Sequence, residues 1–461
     1  MILVNVTNHI IRGGEKVKIK SIFADSILGK IILIGILIFI LLIPTIMVGA
    51  LVEERENRRE EVIEDITEKW GEEQKVGGPI LTIPYKETIT HGEEKEVYRR
   101  YFHMLPDTLE ISGTIHPEIR YRSIYETLVY NSNHSFEGKF PEINLEEKEL
   151  ELFSENTVDI SWGDPFIVIG ISDVVGINDK IDVAWNGELY NTSPGTRGVS
   201  VFNSGVSTEV QLLTEAENKF NFEIDLKGSH GLKFYPLGKT SNIDLNSDWK
   251  DPSFQGRFLP IERTINENGF SAYWEVFDLN KGYPQQWQEG ASSRIRYAVE
   301  DSALGVNLLL PVDSYRNTER AIKYAVMFIL LTFLVYFFIE ILKKINIHPV
   351  QYLLVGISLV LFYLLLLALS EHIAFHYSYL IASISTILLI SLYTAGILKE
   401  KITGILAGGI LVVLYSFLYI LLELQDYSLL LGSIGIFIIM AVIMYLSRNV
   451  DWYALNDKKD N

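Results

Sequence analysis

Six long apolar runs, one near the start of the chain and five in its last third, constrain this sequence more than anything else in it. They are Ile31–Leu51, then residues 324–342, 349–370, 377–398, 402–422 and 427–447. A helix over Ile31–Leu51 rises about 32 Å, enough to cross a hydrocarbon core of roughly 30 Å. The pattern predicts a multi-pass α-helical membrane protein, one span followed by five, with the polar segment 52–323 held between them. Lys and Arg beside a span are retained in the cytoplasm, and the connections sort by that rule. Arg12, Lys16, Lys18, Lys20, Lys30, Lys343, Lys344, Lys399, Lys401, Arg448, Lys458 and Lys459 fall on one side. Glu371, Glu423 and Asp426 occupy the two short loops on the other, without a basic residue. Residues 1–30 and the tail 448–461 are therefore expected in the cytoplasm, and 52–323 outside it.

The formal charge of -18 is uneven. Residues 52–323 carry 48 acidic and 28 basic side chains, hence -20, and the rest of the chain carries +2. So acidic a segment argues against a nucleic-acid partner, whose phosphates require Lys and Arg. Without any cysteine the segment has no disulfide or thiolate chemistry and must be held by its own core. Val48-Gly49-Ala50 resembles a signal-processing site, but the run is longer than a usual signal core and Pro44 lies well inside it. Upstream, Val17 to Leu28 suits a short interfacial segment, and equally an irregular tail. Beyond the span, Val62, Ile63, Ile66 and Trp70 recur at helical spacing in a charged stretch, which reads as a helical stalk. Val76-Gly77-Gly78-Pro79 is expected to end it and start a strand over Ile80–Tyr85.

From there the period becomes two. Phe220, Phe222, Ile224 and Leu226 alternate with polar residues, as do Leu109, Ile111 and Ile115, with Gly113 expected as a weak point of that strand, and Phe270, Ala272, Trp274 and Val276. Asn186-Gly187 between apolar alternations is a hairpin signal, since both positions tolerate positive φ. The segment is expected to be a large, mainly antiparallel, sandwich-like β domain.

Chemistry is sparse in it. No metalloprotease helix motif, nucleophile elbow or phosphate loop is present, and His91, His103, His116, His134 and His230 lack ligand spacing. No catalytic, cofactor-binding or metal-binding residue is assigned. Ionisable groups near the spans are the better candidates, because such groups are costly in a bilayer unless paired or wet. They are Glu340, His348, Gln351, Glu371, His372 and Asp426, with His376 close by. Glu340 lies one turn from Lys343 and Lys344, within reach of the interface, which makes interfacial anchoring the bland expectation.

Several motifs resemble the CreD family of bacterial inner-membrane, cell-envelope-integrity proteins. They include Glu53-Glu-Arg-Glu-Asn-Arg-Arg59, Trp249 to Pro260, Pro311-Val-Asp-Ser-Tyr315, Arg320 to Leu334, Ile347 to Gly356, Leu369-Ser-Glu-His372, Asp426 to Gly432 and Asp451-Trp-Tyr453. The resemblance runs from about residue 27 to 453 and departs in the first 26 residues and around 190–217. It implies an inner-membrane location, stress-linked expression under a two-component system, and effects on envelope integrity and colicin tolerance; it supplies no catalytic residue. The expectation is a non-catalytic protein of envelope maintenance, without cofactor, whose β domain binds a periplasmic protein, lipid or glycan. A transporter or lipid-handling protein is the alternative and requires a polar cavity faced by Glu371 and His372. An envelope enzyme, weaker again, requires converging catalytic side chains in a cleft.

Overall fold

The computed structural model describes residues 27–91, 94–145, 157–214, 216–288, 292–310, 314–343, 345–424 and 427–448. The stretch before residue 27, read as interfacial segment or irregular tail, lies outside them, as do Lys344, Asp426, Lys458 and Lys459. Among the described residues, six helices are long and apolar enough to cross a membrane. The first, α1, is a single 44-residue helix, Ile27–Trp70, so the charged stretch after the apolar run continues the same rod. After the β strands come α2 (Ser292–Asp301) and α3 (Ser314–Lys323), then the apolar α4 (Ala325–Lys343), α5 (Pro349–Ser370), α6 (Phe375–Leu398), α7 (Lys401–Glu423) and α8 (Ser428–Ser447). Arg59–Pro311 forms one compact unit and the flanking helical segments another.

The β unit is shorter at both ends than residues 52–323. At its start α1 keeps its helical bonding through the boundary, and at its end Ser314–Lys323 folds as α3, whose Ala321 is fully buried in the helical core.

Two mainly antiparallel sheets build the β unit. The eight-stranded one runs Glu262–Asn266, Gly269–Phe277, Thr240–Ser247, Thr108–Arg122, Tyr125–Phe140, Asn218–Ser229, Asp182–Trp185, Glu188–Asn191. The ten-stranded one centres on the long strand Gln74–His91, flanked by Gly231–Phe234 and Phe166–Ile171, with Gly205–Glu209 and Ser193–Pro194 closing one edge. Apolar faces of both enter one core, where Phe136 stacks on Phe222 at 4.8 Å and meets Phe234 of the other sheet at 6.0 Å. Each such ring contributes roughly 2–3 kcal/mol by leaving water. Asn186-Gly187 does turn a hairpin, with Trp185 opposite Glu188.

The sheets are mainly antiparallel, as the alternation predicts, and two pairings among the described residues are parallel: Gln74–Val76 with Leu232–Phe234, and Thr240–Ser247 with Thr108–Ile115. Two expectations need correction. Gly77-Gly78-Pro79 lies inside a strand, not before one; its register shifts against Phe166–Ile171 between Gly77 and Ile80, and a bulge tolerates a residue without an N–H. Gly71, at φ 139°, follows the end of the helix instead. Gly113 is no weak point, because the imidazole of His134 on the paired strand fills its place: a Cβ there would lie 2.0 Å from Nδ1.

Trp70 ends α1 against this unit. Its Nε1 donates to Tyr130 O at 3.3 Å, and Arg120 covers its ring at 4.1 Å. Arg122 pairs with Asp65 on the same helix. Trp70, the last residue of the stalk's apolar stripe, is thus used in packing.

Within the helical unit, α1 lays Leu41 into a notch at Gly356 of α5, where any Cβ would come within 2.1 Å of Leu41 Cδ1. Close approach of α6 and α7 depends likewise on Gly404 and Gly408, which face Ser391 and Ala395.

Candidate functional site

The candidates gather at the two ends of α5, a helix of 22 residues and so about 33 Å long. At its start lie Glu340, His348 and Gln351. At its finish lie Glu371 and His372.

Glu340 does not reach outward as its place near a helix end allows. Its residue exposure is 3%, and the side chain turns into the bundle. One carboxylate oxygen accepts Lys30 Nζ at 2.6 Å and the Ile347 N–H at 3.2 Å, and the other accepts Tyr352 OH at 3.0 Å. Lys30 also donates to Asn346 Oδ1 at 3.2 Å. Three elements meet here: α1 supplies the cation, α4 the carboxylate, and the loop into α5 the remaining donors. A carboxylate withdrawn from water requires this degree of satisfaction. Both oxygens are engaged, so the geometry holds helices together and offers no free acid or base. Beside it Lys343 pairs with Glu400 and Thr403, joining α4 to the start of α7.

His348 and Gln351 form a reciprocal cap. His348 Nδ1 accepts the Val350 N–H at 3.3 Å, and Gln351 Oε1 accepts the His348 N–H at 2.9 Å, with Pro349 opening the helix. Two otherwise orphaned donors are thereby satisfied.

At the other end Glu371 accepts Tyr315 OH at 3.2 Å and lies 3.8 Å from Arg55 Nε. Arg320 donates to the Leu422 and Leu421 carbonyls at 3.0 and 3.1 Å, a cation at the negative end of α7. His372 and His376 are exposed. The buried face of α6 between these ends is lined with hydroxyls: Thr386 and Thr394 donate to the carbonyls four residues back and Ser383 to the carbonyl three back, Thr394 also bonds Tyr336 OH of α4, and Ser391 Oγ has no hydrogen-bond partner among the described residues.

Sequence reasoning missed Lys30, Tyr352, Tyr315 and Arg320 as partners. Lys30 and Arg320 had counted only as charge and motif, whereas for Lys30 the signal was a cation flanking one apolar run and a lone carboxylate, Glu340, inside another.

In the β unit the histidines remain scattered. Burial pulls His103 down to about 4 and His134 to about 3. His103 Nδ1 lies 3.0 Å from Thr82 Oγ1, with the Trp287 ring at 5.1 Å. Neither ring nitrogen of His134 has a hydrogen-bond partner among the described residues. Among those residues no group of three His, Asp or Glu could hold a metal.

A family model described as "Inner membrane protein CreD" matches residues 26–453. The Inner membrane protein CreD of Escherichia coli (strain K12) is 34% identical over 425 residues, covering 91% of this chain and 92% of its own. Among solved structures, a putative nutrient binding protein from Legionella pneumophila subsp. pneumophila str. Philadelphia 1 overlaps 44% of this chain and 69% of that one, at TM-score 0.25 and 6% identity. A likeness that slight bears on neither fold nor ligand.

Proposed function

Because the chain belongs to the CreD family of inner membrane proteins, we propose that it serves envelope maintenance as a membrane-anchored binding protein with no reaction of its own. The β unit binds a periplasmic protein, lipid or glycan, and the helices hold it at the bilayer. Both termini lie in the cytoplasm and residues 52–323 in the periplasm. One observation carries the reading: a β unit with a complete core of its own stands, in chain order, between helices able to cross a membrane. Orientation is supported by Lys30, Lys343, Lys399 and Lys401 at one end of the spans and Glu371 and Glu423 at the other. A transport role would use the buried carboxylate and hydroxyls of the bundle. Engagement of the carboxylate by Lys30, Ile347 and Tyr352, and of Thr386, Thr394 and Ser383 by backbone carbonyls, favours anchoring.

Cysteine labelling in intact spheroplasts tests the placement. His230→Cys and Leu424→Cys should react with a membrane-impermeant thiol reagent, and Ile345→Cys and Lys399→Cys should react only after permeabilisation. The role itself is tested by complementation, where the full-length chain should restore detergent resistance to cells lacking their own copy. Labelling at 345 in intact spheroplasts would overturn the topology, and failure to complement would overturn the role.

A further inference from the structure

A cleft of about 830 Å³ opens in the β unit where an edge of each sheet comes together. Gly205–Glu209 and Ser193–Pro194 of the ten-stranded sheet form one side, and Glu188–Asn191 of the eight-stranded sheet the other. Hydrogen bonds fix the two sides: Thr208 Oγ1 donates to Asn191 O at 3.0 Å, and Trp185 Nε1 to Gln211 O at 2.8 Å. The floor reaches the core at Ile83 and Val210, both buried. The cleft is therefore preformed, and its size is that of a small-ligand site.

Its lining narrows the occupant. Arg197 is the one Lys or Arg among the lining residues, and Glu209 pairs with it at 2.7 Å; with Asp164 added the lining is net negative, which disfavours an anionic ligand. The Asp164 carboxylate has no hydrogen bond or ion pair among the described residues. Asn191 and Gln211 add side-chain amides, Ser193 a hydroxyl, and Leu189 and Leu212 aliphatic surface. A lipid tail would leave those polar groups facing hydrocarbon, at a desolvation cost. A neutral sugar chain meets them all: carboxylate and amides bond its hydroxyls while the aliphatic side chains cover the C–H face of a ring.

We propose that this cleft binds a short neutral oligosaccharide, an inference that rests on the β unit being the binding part and names the chemistry of its partner. Residues 189–214 supply most of the lining.

The test uses the full-length protein in phospholipid nanodiscs, titrated calorimetrically with tetra-N-acetylchitotetraose, maltotetraose and trilysine. At least one of the two sugars should saturate a single site. Asp164→Asn or Asn191→Ala should weaken that binding about tenfold, as expected for one lost hydrogen bond to a charged or buried group. Glu262→Gln, on the opposite edge of the eight-stranded sheet, should leave it unchanged. No saturation by either sugar, saturation by trilysine alone, or indifference to both cleft variants would each overturn the assignment. Detergent resistance of cells is scored separately. If Asp164→Asn combined with Asn191→Ala abolishes sugar binding yet cells stay protected, the cleft stands and the envelope reading falls.

Discussion

The β unit and the helical unit bury ionisable side chains on opposite terms. His134 in the first is wholly buried, with neither ring nitrogen hydrogen-bonded and the Phe234 ring 5.2 Å away. Glu340 in the second is nearly as buried, and an ammonium, a backbone N–H and a phenol all donate to it. Side-chain chemistry, not fold, makes the difference. An imidazole is neutral at neutral pH and loses only hydrogen bonds on burial, whereas an ionised carboxylate loses far more. The β unit's own buried carboxylate follows the same rule, since Glu87 accepts Thr157 Oγ1 at 2.8 Å and lies 3.2 Å from Arg100. The β unit thus becomes sensitive to acid, and the helical unit to the loss of a partner.

Acid gives the largest expected effect. His103 and His134 are held below their ordinary value of 6.5, so the unfolded chain takes up protons that the folded chain refuses. Stability present above pH 6.5 is lost as the pH falls towards about 4 for His103 and about 3 for His134. At pH 5 the loss is about 2 kcal/mol for each histidine, about 4 kcal/mol for both. Denaturant unfolding followed by tryptophan fluorescence at pH 7 and pH 5 measures it, and His134→Leu should remove about half the difference. A midpoint unmoved between those pH values would break the comparison on the β side.

Breaking the ion pair comes next. Lys30→Leu leaves Glu340 buried without its cation and should cost about 3 kcal/mol of helical-unit stability, read as a lower melting temperature in detergent. Lys30→Leu with Glu340→Leu should recover most of that loss, because an apolar pair replaces a buried ionic one at little net cost. If the double variant is as unstable as Lys30→Leu, the carboxylate is not what needs the lysine.

What the sequence could show divides along physical lines. Local periodicity was legible: Phe220, Phe222, Ile224 and Leu226 all point into the core, and Asn186-Gly187 turns its hairpin. Partner choice was not. Nothing local in Thr240–Ser247 says that it lies parallel to Thr108–Ile115, because its alternation would be the same against an antiparallel neighbour. Glu340 fails for a similar reason. Its position allowed a route to water, and only the returning loop at Ile347 and the phenol of Tyr352 decide that it turns inward.

The smallest effect separates capping from chemistry at His348 and Gln351. If the pair serves only to start α5, its worth is that of a helix cap, about 1 kcal/mol. His348→Ala should then lower helical-unit stability by about that amount. His348→Ser, whose hydroxyl can accept the same Val350 N–H, should restore most of it. Neither variant should change detergent resistance, since Glu340 keeps its Lys30, Ile347 and Tyr352 donors whatever stands at 348. The serine variant is the sharper arm, because it keeps an acceptor and discards the imidazole. Full stability with lost protection in that variant would mean that the ring itself acts, and would move His348 from the frame of the helical unit into its working parts.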